Sequence, residues 1–230
     1  MKRVGSKKQQ RWTDHYSERA KKERYPARSV YKLKEAQKKY RLIRKGDQVL
    51  DLGCSPGSWL LYVAELTGKR GKVLGIDLQP VVIQIPFQAE TLKVDILTID
   101  RAWIENEDLA SRFNVVLSDM APATTGNKVI DAERSYRLCQ AALNIAQMVS
   151  RPGGSFFCKI FQGEEFKKFS DSVGRRFKNH KIFKPQSSRK ESKEIFIIGA
   201  ESVRSSRYPA EVAARCGDFK LNQLRSERTE

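Results

Sequence analysis

Residues 48–59 narrow the fold of this chain more than any other stretch. Gln48-Val49-Leu50-Asp51-Leu52-Gly53 reads as a buried strand ending in a glycine loop, and Trp59 to Leu66 reads as the amphipathic segment that follows. Gly53 and Gly57 permit a sharp strand-to-helix turn and a close approach of ligand to backbone, as in nucleotide sites of α/β proteins. Both could also be simple turn glycines.

The pattern continues along the chain. A second strand, Lys72 to Ile76, ends at Asp77, and a short third near Leu92 to Val94 ends at Asp95. Val115 to Asp119 reads as a fourth strand and Ser155 to Phe161 as a fifth, with a helix from about Asp131 to Val149 between them that Pro152-Gly153-Gly154 stops. A helix from Glu164 to Phe177 precedes two last strands, Lys181 to Phe183 and Glu194 to Ala200. Ahead of all these, Ser29 is placed to cap a helix running through Ala36 toward Tyr40. The alternation predicts a doubly wound α/β sheet.

Three segments are expected: a basic extension over 1–25, a folded domain over 26–201, and a polar tail over 202–230. The chain holds 44 Lys plus Arg against 27 Asp plus Glu, a formal net charge of +17, and residues 1–45 carry 17 basic and four acidic side chains. Such a field draws polyanions, so nucleic acid is the expected partner. A basic run is often only a solvated tail, but Trp12, Tyr16, Tyr25, Tyr31 and Tyr40 interleave with the charges, which fits stacking or docking better. Arg24, Arg28 and Lys34 are candidate phosphate contacts. Cys54, Cys139, Cys158 and Cys216 show no metal-ligand spacing, so neither zinc nor a disulfide framework is expected. No apolar run suits a membrane span or signal peptide, and the cytoplasm is the default compartment.

The ligand class follows from the loop. Asp77, 24 residues after Gly53, stands where α/β nucleotide sites place a carboxylate for ribose hydroxyls. The loop is not G-x-G-x-x-G, and Pro56 removes a backbone donor that a pyrophosphate would use, which argues against a nicotinamide-dependent oxidoreductase. S-adenosylmethionine fits better: Asp77 would meet its ribose, Asp95 would lie near its base, and the glycine loop would take its methionine end. Asp77 could instead be an exposed strand terminus, and Trp59 a core residue.

Several further stretches carry a resemblance: Arg28 to Leu33, DLGCSPGSW at 51–59, SDMAP at 118–122, GGSFFCKIFQGEEF at 153–166 and SSRKESKEIFIIGA at 187–200. In order and spacing, over residues 26–200, the chain resembles the FtsJ/RrmJ family of RNA ribose 2'-O-methyltransferases. The resemblance implies a Rossmann-like class I S-adenosylmethionine methyltransferase fold, with a mostly parallel seven-stranded sheet, an antiparallel last strand and helices on both faces. It implies a catalytic tetrad of Lys32, Asp119, Lys159 and Glu194, and cofactor contacts at Gly57, Trp59, Asp77, Asp95 and Asp119. One departure is Ser58, where the family often has glycine.

The chemistry accounts for these residue types. A ribose hydroxyl is a weak nucleophile, so it must be oriented toward the sulfonium methyl and its proton managed. Burial and a neighbouring cation can lower a lysine toward about 7 to 8, so Lys159 can be the proton acceptor, with Lys32 as that cation, Asp119 orienting Lys159, and Glu194 positioning Lys32 or the ribose. Alternatively Lys159 stays charged and stabilises developing alkoxide. Its position inside the apolar strand Phe156 to Phe161 argues for function, because an unpaired charge there would be costly. The resemblance, with a single domain and a basic arm, implies a uridine in large-subunit (23S) ribosomal RNA as the substrate, and a monomer is expected. A transfer RNA anticodon-loop 2'-O-methyltransferase and a non-catalytic RNA-binding protein are the rival readings.

Overall fold

A computed structural model describes residues 7–189 and 191–203, with side chains from residue 15 onward. In chain order the elements are α1 (Lys7–Lys22), α2 (Val30–Tyr40), β1 (Gln48–Leu52), α3 (Ser58–Thr67), β2 (Lys72–Asp77), β3 (Ala89–Lys93), a 3-10 turn (Ile96–Thr98), α4 (Arg101–Asn106), β4 (Phe113–Ser118), α5 (Lys128–Val149), β5 (Ser150–Phe161), α6 (Phe166–Gly174), β6 (Phe177–Phe183) and β7 (Glu194–Ser202).

The strands form one sheet in the order β3-β2-β1-β4-β5-β7-β6. β1 to β5 pair in parallel, and β7 runs antiparallel between β5 and β6. This is the Rossmann-like sheet that the strand alternation and the resemblance predict, with β7 as the reversed strand. β1 lies between β2 and β4, so both its faces must be covered, and Val49 to Leu52 are all buried.

Alternation along the strands divides the core into two layers. Leu50, Leu52, Val116, Phe156 and Cys158 face α5, packing with Cys139, Leu143 and Ala146. Val49, Val115, Leu117, Phe157 and Phe196 face the other way, against Leu33, Trp59, Leu60 and Val63 of α2 and α3.

The N-terminal extension departs from a simple charged arm, because α1 is a helix whose end docks onto α2. Ala20, Tyr25, Val30 and Tyr31 form a small apolar cluster, flanked by Tyr16, Leu61 and Tyr62. The Lys34 ammonium bonds Glu23 at 2.6 Å and lies 4.4 Å from the centre of the Tyr25 ring, while the Tyr25 hydroxyl donates to Glu65. The interleaved aromatics Tyr16, Tyr25 and Tyr31 therefore serve docking of the chain on itself. Trp12 lies in α1 but outside the described side chains.

Element ends shift where the sequence signal is weak. β3 begins at Ala89, β6 at Phe177 and α6 at Phe166; α4 and the 3-10 turn were not foreseen because each is too short to show a period. β5 is extended back to Ser150, and its register against β4 slips between Phe113 and Val115, absorbing the Pro152-Gly153-Gly154 turn. Ser29 occupies the N-cap of α2, but its hydroxyl makes no capping bond. Residues 204–230, with Cys216, lie outside the described chain; Cys54, Cys139 and Cys158 are buried free thiols. Among the described residues no helix is long and apolar enough to cross a membrane, and no group of acidic, cysteine or histidine side chains could hold a metal ion.

Candidate active site

The carboxyl ends of β1, β2, β4 and β5 meet at one edge of the sheet, and α2 brings Lys32 to the same place. β4 delivers Asp119 immediately after Ser118, β5 carries Lys159, and Glu194 opens β7 opposite Phe161. The four side chains connect. Lys159 Nζ lies 2.9 Å from Asp119 Oδ1 and donates to the Asp119 carbonyl oxygen at 2.5 Å. Lys32 Nζ donates to Glu194 Oε2 at 2.9 Å and stands 3.6 Å from Asp119 Oδ1.

Two cations and two anions thus form a chain, Glu194–Lys32–Asp119–Lys159, in which each charge has a partner. Lys159 is only 5 % exposed, so that pairing is what makes its burial tolerable. Burial alone would raise the Asp119 carboxyl, but the Lys159 and Lys32 ammonium groups outweigh it and hold Asp119 below the usual carboxylate range. Lys32 is raised: its burial opposes the charge, and Asp119 and Glu194 overcome that burial.

Supporting contacts fix this chain from behind. Lys184 donates to the carbonyl oxygens of Ser192 and Glu194, both at 2.6 Å, and Glu35 on α2 accepts the backbone N–H groups of Gln186 and Ser187. Both clamps join segments about 10 to 150 residues apart, a coupling that no local sequence pattern announces. Arg28 donates to the Ser187 carbonyl oxygen, and burial and Arg189 lower its guanidinium from the ordinary arginine value. Of the three candidate phosphate contacts, Arg24 is exposed with a φ of 61°, Arg28 borders the tetrad, and Lys34 is engaged by Glu23 and Tyr25.

The glycine loop lies beside the tetrad. Gly53 has a φ of 81°, and a Cβ there would stand 2.5 Å from the Met120 side chain; Gly57 has a φ of 106°, and its Cβ would stand 2.7 Å from Ile83. The close approach that these glycines allow is therefore at least partly one of protein to protein: Met120, next to Asp119, and the apolar segment after β2. Asp77 accepts the backbone N–H groups of Ser55 and Gln79 at 2.9 and 2.8 Å, joining the glycine loop to the end of β2. Asp95, beyond β3, caps the 3-10 turn by accepting Leu97 N–H.

Trp59 is a core side chain. Its ring stacks on Phe157 at 5.7 Å and its indole N–H donates to the Ser29 carbonyl oxygen. Ser58 is buried and its hydroxyl accepts Ala27 N–H at 2.7 Å, which makes the departure from glycine a tie to the segment before α2. A carboxylate overlooked by sequence reasoning also lies here: Asp51, near the end of β1, is 1 % exposed.

A cleft of about 520 Å³ opens beyond β5 between the start of α5 and the turn before α6, lined by Lys128, Tyr136, Phe161, Phe166 and Lys193 among others. A second cavity of about 240 Å³ lies at the opposite edge of the sheet, beside Lys69 and Arg70, and none of the candidate residues lines it.

"Ribosomal RNA large subunit methyltransferase E" of Desulforapulum autotrophicum is 54 % identical over 192 residues, covering 84 % of this chain and 94 % of that protein. The protein of the same name from Desulfosudis oleivorans is 51 % identical, covering 84 % and 92 %. In fold, the chain matches a Plasmodium falciparum protein assigned as a ribosomal RNA methyltransferase, with a TM-score of 0.68 at 24 % identity, over 77 % of this chain and 98 % of the other. The family model for FtsJ-like methyltransferases matches residues 25–202, and the chain belongs to that family.

Proposed function

We propose that the protein transfers a methyl group from S-adenosylmethionine to a ribose 2'-hydroxyl, on a uridine in large-subunit (23S) ribosomal RNA. The observation that carries the reading is the buried Glu194–Lys32–Asp119–Lys159 chain beside the glycine loop. The relatives named for large-subunit ribosomal RNA support the substrate, and the charge of +17 suits a polyanion.

The residues present fit a cofactor of this kind. Free backbone N–H groups in the first turn of α3 suit its carboxylate, and Asp77 keeps acceptor capacity for ribose hydroxyls beyond the two bonds it makes. When bound, S-adenosylmethionine supplies an electrophilic methyl on a sulfonium.

The chain's own work is to aim the hydroxyl oxygen and manage its proton. Lys159 Nζ is held by a donation to the Asp119 carbonyl oxygen and by the ion pair with the Asp119 carboxylate. A neutral amine keeps the carbonyl bond and turns its lone pair to the hydroxyl; an ammonium turns a remaining N–H to the developing alkoxide. Asp119 thereby orients Lys159 in either role, and Lys32, fixed by Glu194, balances the Asp119 charge. Arg24 and Arg28 are the phosphate contacts of this proposal.

Labelled methyl transfer to large ribosomal subunits, and in parallel to transfer RNA from cells lacking the protein, tests the reading. Label at a ribose 2'-oxygen of the large-subunit RNA is expected, with Lys159→Ala lowering transfer at least 100-fold at unchanged cofactor affinity. Label in transfer RNA alone, or full turnover by Lys159→Ala, would overturn the substrate or the mechanism respectively.

A further inference from the structure

Asp51 is the one carboxylate at this edge that the mechanism above leaves without a task. It sits in β1 opposite Gly75 of β2 and Leu117 of β4, positions that offer no charge. Both its carboxyl oxygens are buried and neither has a hydrogen-bond partner among the described residues. The titratable groups that face it are Asp119 from beyond β4, Asp77 from the end of β2, and the Cys54 thiol from the loop after its own strand. The nearby ammonium groups of Lys159 and Lys32 are engaged by Asp119 and Glu194.

A buried carboxylate with no donor and two carboxylates as neighbours is a poor place for negative charge. Burial, then Asp119 and Asp77, push Asp51 up to about 8, so near neutral pH it carries a proton. Burial, then Asp51 and Asp77, raise the Cys54 thiol, which therefore supplies neither charge nor proton here.

We propose that Asp51 is a proton-linked specificity residue beneath the cofactor loop: a neutral acid when the pocket is empty, it releases its proton to solvent when the cationic cofactor enters, and regains one after methyl transfer. This rests on the S-adenosylmethionine reading. That cofactor is net positive through its sulfonium, whereas the product S-adenosylhomocysteine is not. Methyl transfer removes the sulfonium charge and the hydroxyl gives up its proton, so the charge that favoured an ionised Asp51 disappears with the reaction. The carboxylate then favours substrate cofactor over product and assists product release.

The linkage predicts its own pH dependence. Affinity for S-adenosylmethionine rises with pH by up to tenfold per unit below about pH 8 and levels off above it. Affinity for S-adenosylhomocysteine rises less. The α-amino group of each ligand also titrates, at a lower pH in S-adenosylmethionine because the sulfonium repels its proton; its contribution is measured on each free ligand and subtracted.

Calorimetric titration of the full chain with each ligand, at pH 6, 7 and 8 and in buffers of different ionisation enthalpy, tests this. Expected is a release of protons with S-adenosylmethionine that exceeds that with S-adenosylhomocysteine by up to about one per site at pH 7. The preference for S-adenosylmethionine over product should widen at least tenfold between pH 6 and 8, and Asp51→Asn should make it independent of pH. Because the wild-type profile decides by itself, a variant that fails to fold does not remove the test. Equal proton release for the two ligands would overturn the inference and leave the cofactor reading standing. No binding of S-adenosylmethionine at any pH would overturn both.

Discussion

Asp51 also makes a prediction about stability that needs no cofactor. Its carboxyl stands at about 8 in the folded chain and at about 3.9 once unfolded. A carboxyl raised on folding binds a proton in the native state that the unfolded chain has already lost, so stability falls as pH rises between those two values. The slope is about 1.4 kcal/mol per pH unit, which makes the loss about 4 kcal/mol between pH 5 and 8. Asp51→Asn keeps the size of the neutral acid and cannot ionise. Urea denaturation of both proteins at pH 5, 6, 7 and 8 measures the effect, and taking the difference removes every other titrating group. The variant should gain on the wild type steadily with pH, approaching that 4 kcal/mol by pH 8. A difference between the two that stayed constant within about 0.5 kcal/mol across the series would show that Asp51 is ionised throughout, and would refute the account of its burial.

The other predictions concern the loop and the arm. Gly53→Ala puts a Cβ 2.5 Å from Met120 at a φ of 81°, and should lower stability by about 2 to 4 kcal/mol in the same urea assay. Asp77→Ala removes the acceptor for Ser55 and Gln79 N–H groups; it should weaken S-adenosylmethionine binding at least tenfold by calorimetry, and Asp77→Asn should recover part of the loss. Lys34→Met removes the bond to Glu23 and the cation over Tyr25; a cost of about 1 kcal/mol and faster amide exchange over residues 15–25 are expected, with RNA affinity falling no more than twofold. A larger fall in RNA affinity would restore Lys34 as a phosphate contact.

How far these features could be read in advance depends on the range of the interaction behind them. The stretch from Gln48 to Trp59 is legible because strand, loop and helix are local patterns, and the parallel sheet follows from their alternation. The docking of α1 was not, since it rests on a small apolar cluster, Ala20 with Tyr25, Val30 and Tyr31, and on tertiary polar pairs just beyond the helix, Lys34 with Glu23 and Tyr25 with Glu65. For Trp59 the sequence leaves a core and a cofactor reading side by side, because its ring is placed by Phe157, some hundred residues later.

Lys159 and Asp51 present the same sequence signal, a charge set in an apolar strand, and the structure resolves it in opposite ways. Lys159 finds the carboxylate and carbonyl of Asp119, so its burial organises a network of paired charges. Asp51 finds only other acids, so its burial opposes ionisation until a cation arrives. Register and the neighbouring strand ends decide between the two outcomes, with β4 presenting Asp119 to β5 while β2 and β4 present Gly75 and Leu117 to Asp51. A carboxylate in an apolar run next to a glycine loop is therefore a sequence signal for a cation-dependent charge, and it becomes readable once the strands beside it are known to bring no base.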